Sequence, residues 1–129
     1  INAERRARGL APLAYRERTA ANAGDHSTWM ARAGELSHAN LAAQYRCQPA
    51  GENIAYTYAS EDIVTADGDT ANYHGNETAI ARGIVRQWMH SPEHRENLLD
   101  PRFSAEGIGV AIGEDDEGRR VYATQALCG

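Results

Sequence analysis

Three side chains in this sequence have the types expected of a reactive or metal-binding site: His38, Glu52 and His94. His38 follows a predicted helix end on a polar loop, without the apolar periodicity that would make it a core residue. Glu52 stands at the start of an otherwise apolar strand, where a carboxylate must find partners or remain hydrated. His94 lies in the first turn of a helix begun by Pro92, where the dipole favours a neutral imidazole. We predict that these three side chains meet in one polar cleft.

Two neutral imidazoles and a carboxylate match the ligand set of an open zinc site, which keeps a position for water or substrate. Such a site could activate water for hydrolysis with Glu52 as general base. The same trio could also bind a ligand and perform no chemistry. A serine-hydrolase mechanism has little support, because the sequence contains no G-x-S-x-G motif.

Other residues of interest have structural interpretations. The pattern favours a packed or partly exposed helix position for His26, a solvated loop position for His74, and a helix end for His90, where a cation suits the dipole. Three aromatic residues are expected in the core rather than along a ligand groove: Trp29, Trp88 and Tyr122.

The helices that must position the site are predicted from apolar periodicity and end signals. A short helix over residues 2–8 ends at Gly9, and a longer one runs from Glu17 to Ala33. The longer helix carries a stripe of mostly small residues: Ala20, Ala23, Ser27 and Met30. A third helix presents one apolar face: Ile80, Ile84, Val85 and Trp88. Ser91 then serves as N-cap of a short helix over residues 92–99, started by Pro92.

Strands and loops complete the pattern. A strand is predicted over residues 53–58, and residues 108–112 and 121–127 alternate as a β-hairpin. Residues 35–50 and 60–76 are predicted to be loops. Helices combined with a few antiparallel strands predict an α+β layered domain.

Length and composition narrow the class of protein. The 129 residues fit one domain, and 42% hydrophobic with 24% charged residues is typical of a globular protein. The net charge of −5 argues against a nucleic-acid partner. The sequence contains no apolar run of 18 residues, so no membrane span is predicted. We expect a monomer. Because the sequence starts without a methionine or a signal-peptide pattern, either a leader was removed or the domain was cut from a longer chain.

Cys47 and Cys128 are the only cysteines. They are either two unrelated buried thiols or one disulfide, and we favour the disulfide. It would close a loop of about 80 residues and contribute on the order of 4 kcal/mol through the unfolded state. A disulfide implies an oxidising compartment, and hence a secreted or cell-surface protein.

Several segments together resemble the CAP superfamily, also called the SCP domain, which comprises cysteine-rich secretory, antigen 5 and pathogenesis-related 1 proteins. The resemblance is closest to the small prokaryotic members and covers nearly the whole chain, residues 1–129, as a single domain. It is carried by these segments: Asn2-x-x-Arg5, Ser37-His38, Gly51–Ala55, Trp88–Leu99 and Gly107–Ala111.

The resemblance implies a three-layer α-β-α sandwich with a small antiparallel sheet and a large cleft. His38 and His94 match the two histidines that bind a divalent metal, usually zinc, in family members that hold one, and Glu52 matches the first cleft glutamate. The position of the second glutamate is Ser91 here, and Glu93 is the nearby substitute. Gln125 on the last strand is predicted as a further supporting residue of the cleft.

Three functions remain open from the sequence. The first is a secreted binding module, with or without a divalent metal, for an extracellular small molecule, lipid or peptide. The second is a metal-dependent hydrolase that acts on peptides or cell-envelope material, in which Glu52 is the catalytic residue. The third is a structural or adhesive domain with a vestigial site. CAP domains share a fold and a cleft without one common activity, so the resemblance does not decide among these.

Overall fold

In a computed structural model of the protein, helices lie on both faces of a small sheet. The structure describes residues 1–58, 62–64, 70–72, 77–116 and 118–129. The helices are α1 (Asn2–Arg6), α2 (Glu17–Ala33), α3 (Leu41–Tyr45), α4 (Glu77–His90) and α5 (Pro92–Leu98). The strands are β1 (Ala14–Tyr15), β2 (Ala50–Tyr58), β3 (Asp62–Val64), β4 (Thr70–Asn72), β5 (Ala105–Asp115) and β6 (Gly118–Cys128). None of the described helices is long and apolar enough to cross a membrane.

The main sheet has the strand order β1-β5-β6-β2. β5 and β6 form the predicted hairpin, in which Ile108 pairs with Gln125. β2 adds antiparallel to β6, so that Asn53 pairs with the same Gln125. β1 pairs parallel with the start of β5, and β3 and β4 form a separate two-stranded sheet. In the described part of the chain, this order leaves β2, which carries Glu52, at one edge of the main sheet.

α2 packs closely on one face of the sheet because small residues meet across the contact. Ala23, Ser27 and Met30 of the predicted stripe are fully buried, and a side chain at Gly109 of β5 would overlap the α2 backbone. The Ser27 hydroxyl donates to the Gly109 carbonyl at 3.0 Å. This close approach fixes α2, which also carries His26, against the sheet.

α4 and α5 cover the opposite face. Ile84 and Trp88 of α4 and Leu98 of α5 are buried against Ala55 and Ala123 of the sheet. Helices on both faces of a mainly antiparallel sheet make a three-layer α-β-α sandwich, so the predicted fold class is confirmed.

The N-terminal segment holds the far end of α5. Arg5 is 1% exposed, and its guanidinium donates at 2.8–3.2 Å to the main-chain oxygens of Ala11, Leu98, Asp100 and Phe103. A buried cation suits carbonyl groups at a helix C-terminus, where the dipole is negative. Arg5 therefore anchors the helix whose first turn carries His94.

Cys47 and Cys128 form the predicted disulfide, with 5.7 Å between their Cα atoms. The bond joins the segment after α3 to the end of β6. Because it closes a loop across 81 sequence positions, we expect it to stabilise the fold by about 4 kcal/mol through the unfolded chain.

α1 ends earlier than predicted and the hairpin strands extend further, and some elements were not predicted at all. α3 lies within residues 35–50, which were predicted to be a loop, because five residues are too few to show an apolar period. Its one local signal is Asn40, whose side chain accepts from the Ala43 N–H at the helix start. β1 was not predicted, since two residues carry no alternation. β3 and β4 lie within the predicted loop 60–76; the other residues of that loop, including His74, lie outside the described residues.

Candidate functional site

Glu52 is the centre of the hydrogen bonds that hold His38. It is only 3% exposed. Its Oε1 accepts from His38 Nδ1 at 2.8 Å and from the Ala39 N–H at 3.0 Å, and its Oε2 accepts from the Tyr45 hydroxyl. We assign the proton of this contact to His38 Nδ1, which donates to the carboxylate oxygen. The contact fixes the orientation of the imidazole through Nδ1, so that Nε2 is the nitrogen left outside this contact. The His38 side chain is 60% exposed.

Tyr45 is a site residue that the sequence analysis missed. It is the last residue of α3 and is 5% exposed. Burial raises the pKa of Tyr45, and its hydrogen bond to Glu52 raises that pKa further. The phenol therefore stays protonated at neutral pH and donates to the carboxylate. Its segment was predicted to be a loop, so nothing in the sequence indicated its burial.

His26 holds the loop that carries His38. It is 7% exposed, and its Nε2 donates to the Ser37 carbonyl at 2.6 Å. The same nitrogen lies 4.0 Å from Glu52 Oε2, and the ring stacks on Trp29 at 5.9 Å between centroids. The sequence analysis placed His26 in a helix without a role in the site. A signal was present, because residues 23, 26, 27 and 30 share one helical face.

His94 is held through its ring by the residue that precedes α5. Its Nδ1 lies 2.8 Å from the Ser91 hydroxyl oxygen. Ser91 occupies the predicted N-cap position, but its side chain makes no capping bond to the backbone. The pKa of His94 is lowered, first by burial and then by the charge of His38, while Glu93 acts in the opposite direction. His94 is therefore neutral at pH 7.

A buried row of amides supports His94 from the side of the sheet. Asn53 Nδ2 donates to the His94 main-chain oxygen at 3.2 Å and to Gln125 Oε1 at 3.0 Å. Gln125 Nε2 in turn donates to Glu106 at 2.8 Å. Asn97 Nδ2 donates to Asn53 Oδ1 at 3.1 Å and lies 3.3 Å from the Glu52 main-chain oxygen. These bonds tie the first turn of α5 to the strand that carries Glu52.

Two cavities lie beside the histidines. The larger, of about 530 Å³, is lined by Leu36, Ile54, Ala55, Tyr56, Thr57, Tyr58, Gln87, Trp88, Ser91 and His94. The smaller, of about 410 Å³, is lined by Asp25, His26, Trp29, His38, Ala39, Asn40 and Gln44. Trp88 and Tyr122 are buried as predicted, whereas Trp29 is 49% exposed and lines the smaller cavity, which corrects its assignment to the core.

The two histidines that were predicted to meet in one cleft line different cavities, His94 the larger and His38 the smaller. His38 and Glu52 are in direct contact, and His94 is close enough for the charge of His38 to affect its pKa. Gln125 is fully buried and contacts Asn53 rather than either histidine. Glu93 is exposed on the first turn of α5.

A metal ion requires a set of donor side chains that converge on one position. Among the described residues, no group of three or more His, Cys, Asp or Glu side chains is arranged to hold a metal. The available nitrogen donors are the two imidazoles, each with its Nδ1 engaged by a neighbour. Histidine ligands commonly have their second nitrogen bonded in this way, which fixes the ring and its tautomer. Each imidazole is held in this way through Nδ1, although the two rings line different cavities.

Comparison with known proteins assigns the chain to a family. Residues 1–127 match the model of the cysteine-rich secretory protein family, CAP. No curated protein sequence matches the chain.

Solved structures share the fold. An extracellular protein containing an SCP domain from Bacillus anthracis is 26% identical with a TM-score of 0.60, and a cysteine-rich secretory protein from Staphylococcus aureus is 18% identical with a TM-score of 0.59. Both alignments cover 98% of this chain but only 37% and 34% of those proteins, so this chain spans about a third of their length. An outer surface protein from Borrelia burgdorferi is 12% identical, with a TM-score of 0.66, 98% of this chain covered and 85% of that chain.

Proposed function

The chain belongs to the cysteine-rich secretory protein (CAP) family, and on that basis we propose that it is an extracellular binding domain. In this proposal His38 and His94 bind a divalent metal ion, with zinc the best match to imidazole donors. The cavity of about 530 Å³ beside His94 takes up the ligand, a small molecule, lipid or peptide. The disulfide and the extracellular relative from Bacillus anthracis support secretion.

The observation that carries the proposal is how the two imidazoles are held. Glu52 fixes the ring of His38 through Nδ1, and Ser91 engages Nδ1 of His94. When Nδ1 carries the proton, Nε2 presents a lone pair, which is the form that binds a metal. The lowered pKa of His94 also favours the neutral ring that a metal requires.

The surroundings of Glu52 favour binding over catalysis. A general base must lie within hydrogen-bond reach of the proton that it removes. Glu52 is 3% exposed, and its two oxygens already accept from His38, Ala39 and Tyr45. Its position suits the orientation of His38 better than a reaction with substrate.

A metal-dependent hydrolase is the second candidate, and one observation favours it. The lowered pKa favours the neutral imidazole of His94 beside the larger cavity, and the neutral ring is the form that would hold a metal there. A metal bound at the two histidines would lower the pKa of its water.

Zinc titration by calorimetry tests the metal site. We expect one zinc per chain for the chelator-treated wild type and none for the double variant His38→Ala/His94→Ala. His90→Ala is the matched control, because His90 is exposed at the end of α4 and its Nδ1 bonds the Arg86 carbonyl of the same helix. Equal zinc binding by the wild type and the double variant would refute the site, as would the absence of binding in both.

Turnover assays separate the two candidates. The binding proposal expects no cleavage of labelled casein or of purified peptidoglycan above the level of the double variant. Cleavage that a chelator abolishes, and that His94→Ala removes while His90→Ala does not, would establish the hydrolase in its place.

A further inference from the structure

The larger cavity follows the open edge of the sheet. Within the described ranges, the order β1-β5-β6-β2 pairs β2 with β6 on one side and with no strand on the other. The cavity is lined by five consecutive residues of this strand, Ile54 to Tyr58. Alternate side chains of a strand point to opposite faces, so a row of consecutive residues indicates that the cavity lies along the backbone edge.

The direction of the backbone groups on β2 can be assigned from their hydrogen bonds. Successive residues of a strand in an antiparallel ladder direct their N–H and C=O groups to alternate sides. The Pro49 carbonyl accepts from Gly129, on the side of β6. The carbonyls of Glu52 and Ile54 instead accept side-chain bonds from Asn97 and Trp88. The even-numbered residues therefore face the open edge.

Tyr56 is the even-numbered residue at the middle of the cavity. Its N–H and C=O face away from β6 by this alternation, and no other described residue bonds them. A donor and an acceptor on one residue match the main chain of an antiparallel partner strand, which exchanges both bonds with it. A hydrocarbon chain offers neither a hydrogen-bond donor nor an acceptor.

The walls of the cavity suit alternating side chains. Leu36, which is 47% exposed, lies on one side of the edge, and Gln87 and Trp88 of α4 lie on the other. Ser91 and His94 also line the cavity. Five residues of strand span about 17 Å, which is enough for about five residues of an extended ligand.

We propose that the ligand of this cavity is an extended peptide that adds as a strand to the edge of β2, with its main chain bonded to Tyr56. The inference rests on the proposed function, since it names the ligand class of the same cleft. Main-chain bonds supply affinity in this mode, and alternate side chains supply specificity. The peptide contacts Leu36 with one set of side chains and Gln87 and Trp88 with the other.

The test begins with the full chain and a phage library of random linear decapeptides. A selected peptide is synthesised, and amide hydrogen exchange of the labelled protein is followed by NMR with and without it. We expect exchange at the Tyr56 amide to slow by about tenfold or more, as for an amide that gains a hydrogen bond. The Thr57 amide is the internal control, because it faces β6 and is already bonded by the same alternation.

Two sets of variants check the geometry. In a scan of singly N-methylated peptides, methylation of the residue whose N–H bonds the Tyr56 carbonyl should weaken binding about fivefold, and methylation of its two neighbours should not. Leu36→Ala should weaken binding about fivefold through lost apolar contact. Val110→Ala, at a residue of β5 that is 55% exposed, should leave it unchanged.

The outcomes distinguish this inference from the function beneath it. Failure to select any peptide, unchanged exchange at Tyr56, or indifference to N-methylation would each overturn strand addition. If zinc still binds at His38 and His94 in those experiments, the metal-binding cleft stands without it. Protection of Tyr56 in a chain that binds no zinc would support strand addition and refute the metal site.

Discussion

Glu52 and Asn53 are neighbours on β2, yet their side chains support the two histidines in different ways. Glu52 contacts the imidazole of His38 directly, and does so with a carboxylate. Asn53 contacts only the main-chain oxygen of His94, as part of a row of amides. The difference follows from where each histidine lies. His38 is on a loop and needs its ring fixed, whereas the backbone of His94 is already ordered by α5.

Among these predictions, a substitution of Glu52 should have the largest effect on the free energy of unfolding. Glu52→Ala should lower the free energy of unfolding by about 3 kcal/mol, because the buried Tyr45 hydroxyl and the Ala39 N–H would lose their acceptor, at about 1–3 kcal/mol each. Urea denaturation measures this change. Glu52→Gln is the matched control, since its amide oxygen can still accept, and we expect it to lose about half as much. A Glu52→Ala variant as stable as the wild type would show that the carboxylate does not hold this region.

A substitution of Asn53 should change the free energy of unfolding less. Asn53→Ala should lower the free energy of unfolding by about 2 kcal/mol, because Gln125 and Asn97 each lose a neutral partner. The same urea experiment applies, with Asn53→Asp as a control that keeps the acceptor for Asn97 but loses the donor to His94 and Gln125. If Asn53→Ala proves more destabilising than Glu52→Ala, the comparison between a charged and a neutral support is reversed.

Long helices and strands could be predicted from the sequence, whereas very short ones could not. α2, α4 and the β5–β6 hairpin have long apolar patterns, and helix and strand periods are local properties of a sequence. The bounds predicted for α2, Glu17 to Ala33, are those observed. α3 and β1 are too short to carry a period and depend on their tertiary contacts.

Site residues were predictable where a motif carried them and not where a tertiary contact did. His38, Glu52 and His94 were selected from residue type and from the CAP motifs. Tyr45 meets Glu52 only because α3 folds against β2, and the bond between Asn97 and Asn53 joins residues 44 positions apart. The sequence predicted Ser91 only as a helix cap. Its bond to the ring of His94 was missed, because that bond depends on a side-chain rotamer, which a sequence does not specify.

Ser91→Ala compares the ring support of His94 with that of His38. Loss of the hydroxyl leaves the His94 ring unoriented, and loss of such a partner commonly lowers metal affinity about 10–100-fold. We expect that decrease in zinc calorimetry. The free energy of unfolding should change by less than about 1 kcal/mol, because the side chain makes no capping bond to α5. Unchanged zinc affinity would show that Ser91 does not orient a metal ligand.

The smallest effect concerns pH. The pKa of His94 lies below its ordinary value of 6.5, chiefly because of burial and then because of His38, with Glu93 opposing. As the pH falls through 6.5, the unfolded chain takes up a proton at this position that the folded chain does not. The free energy of unfolding therefore decreases as the pH falls toward the folded-state pKa, and the loss is complete below that pKa.

His94→Gln isolates this contribution. In chelator-treated protein, urea denaturation at pH 7.5 and at pH 5.5 should give a larger loss of stability for the wild type than for His94→Gln. His90→Gln, at an exposed position, should retain the wild-type difference. If His94→Gln and the wild type lose equal stability between the two pH values, the folded protein does not disfavour the charged ring. The inference that His94 is neutral would then have to be abandoned, while the contact between Glu52 and His38 would be unaffected.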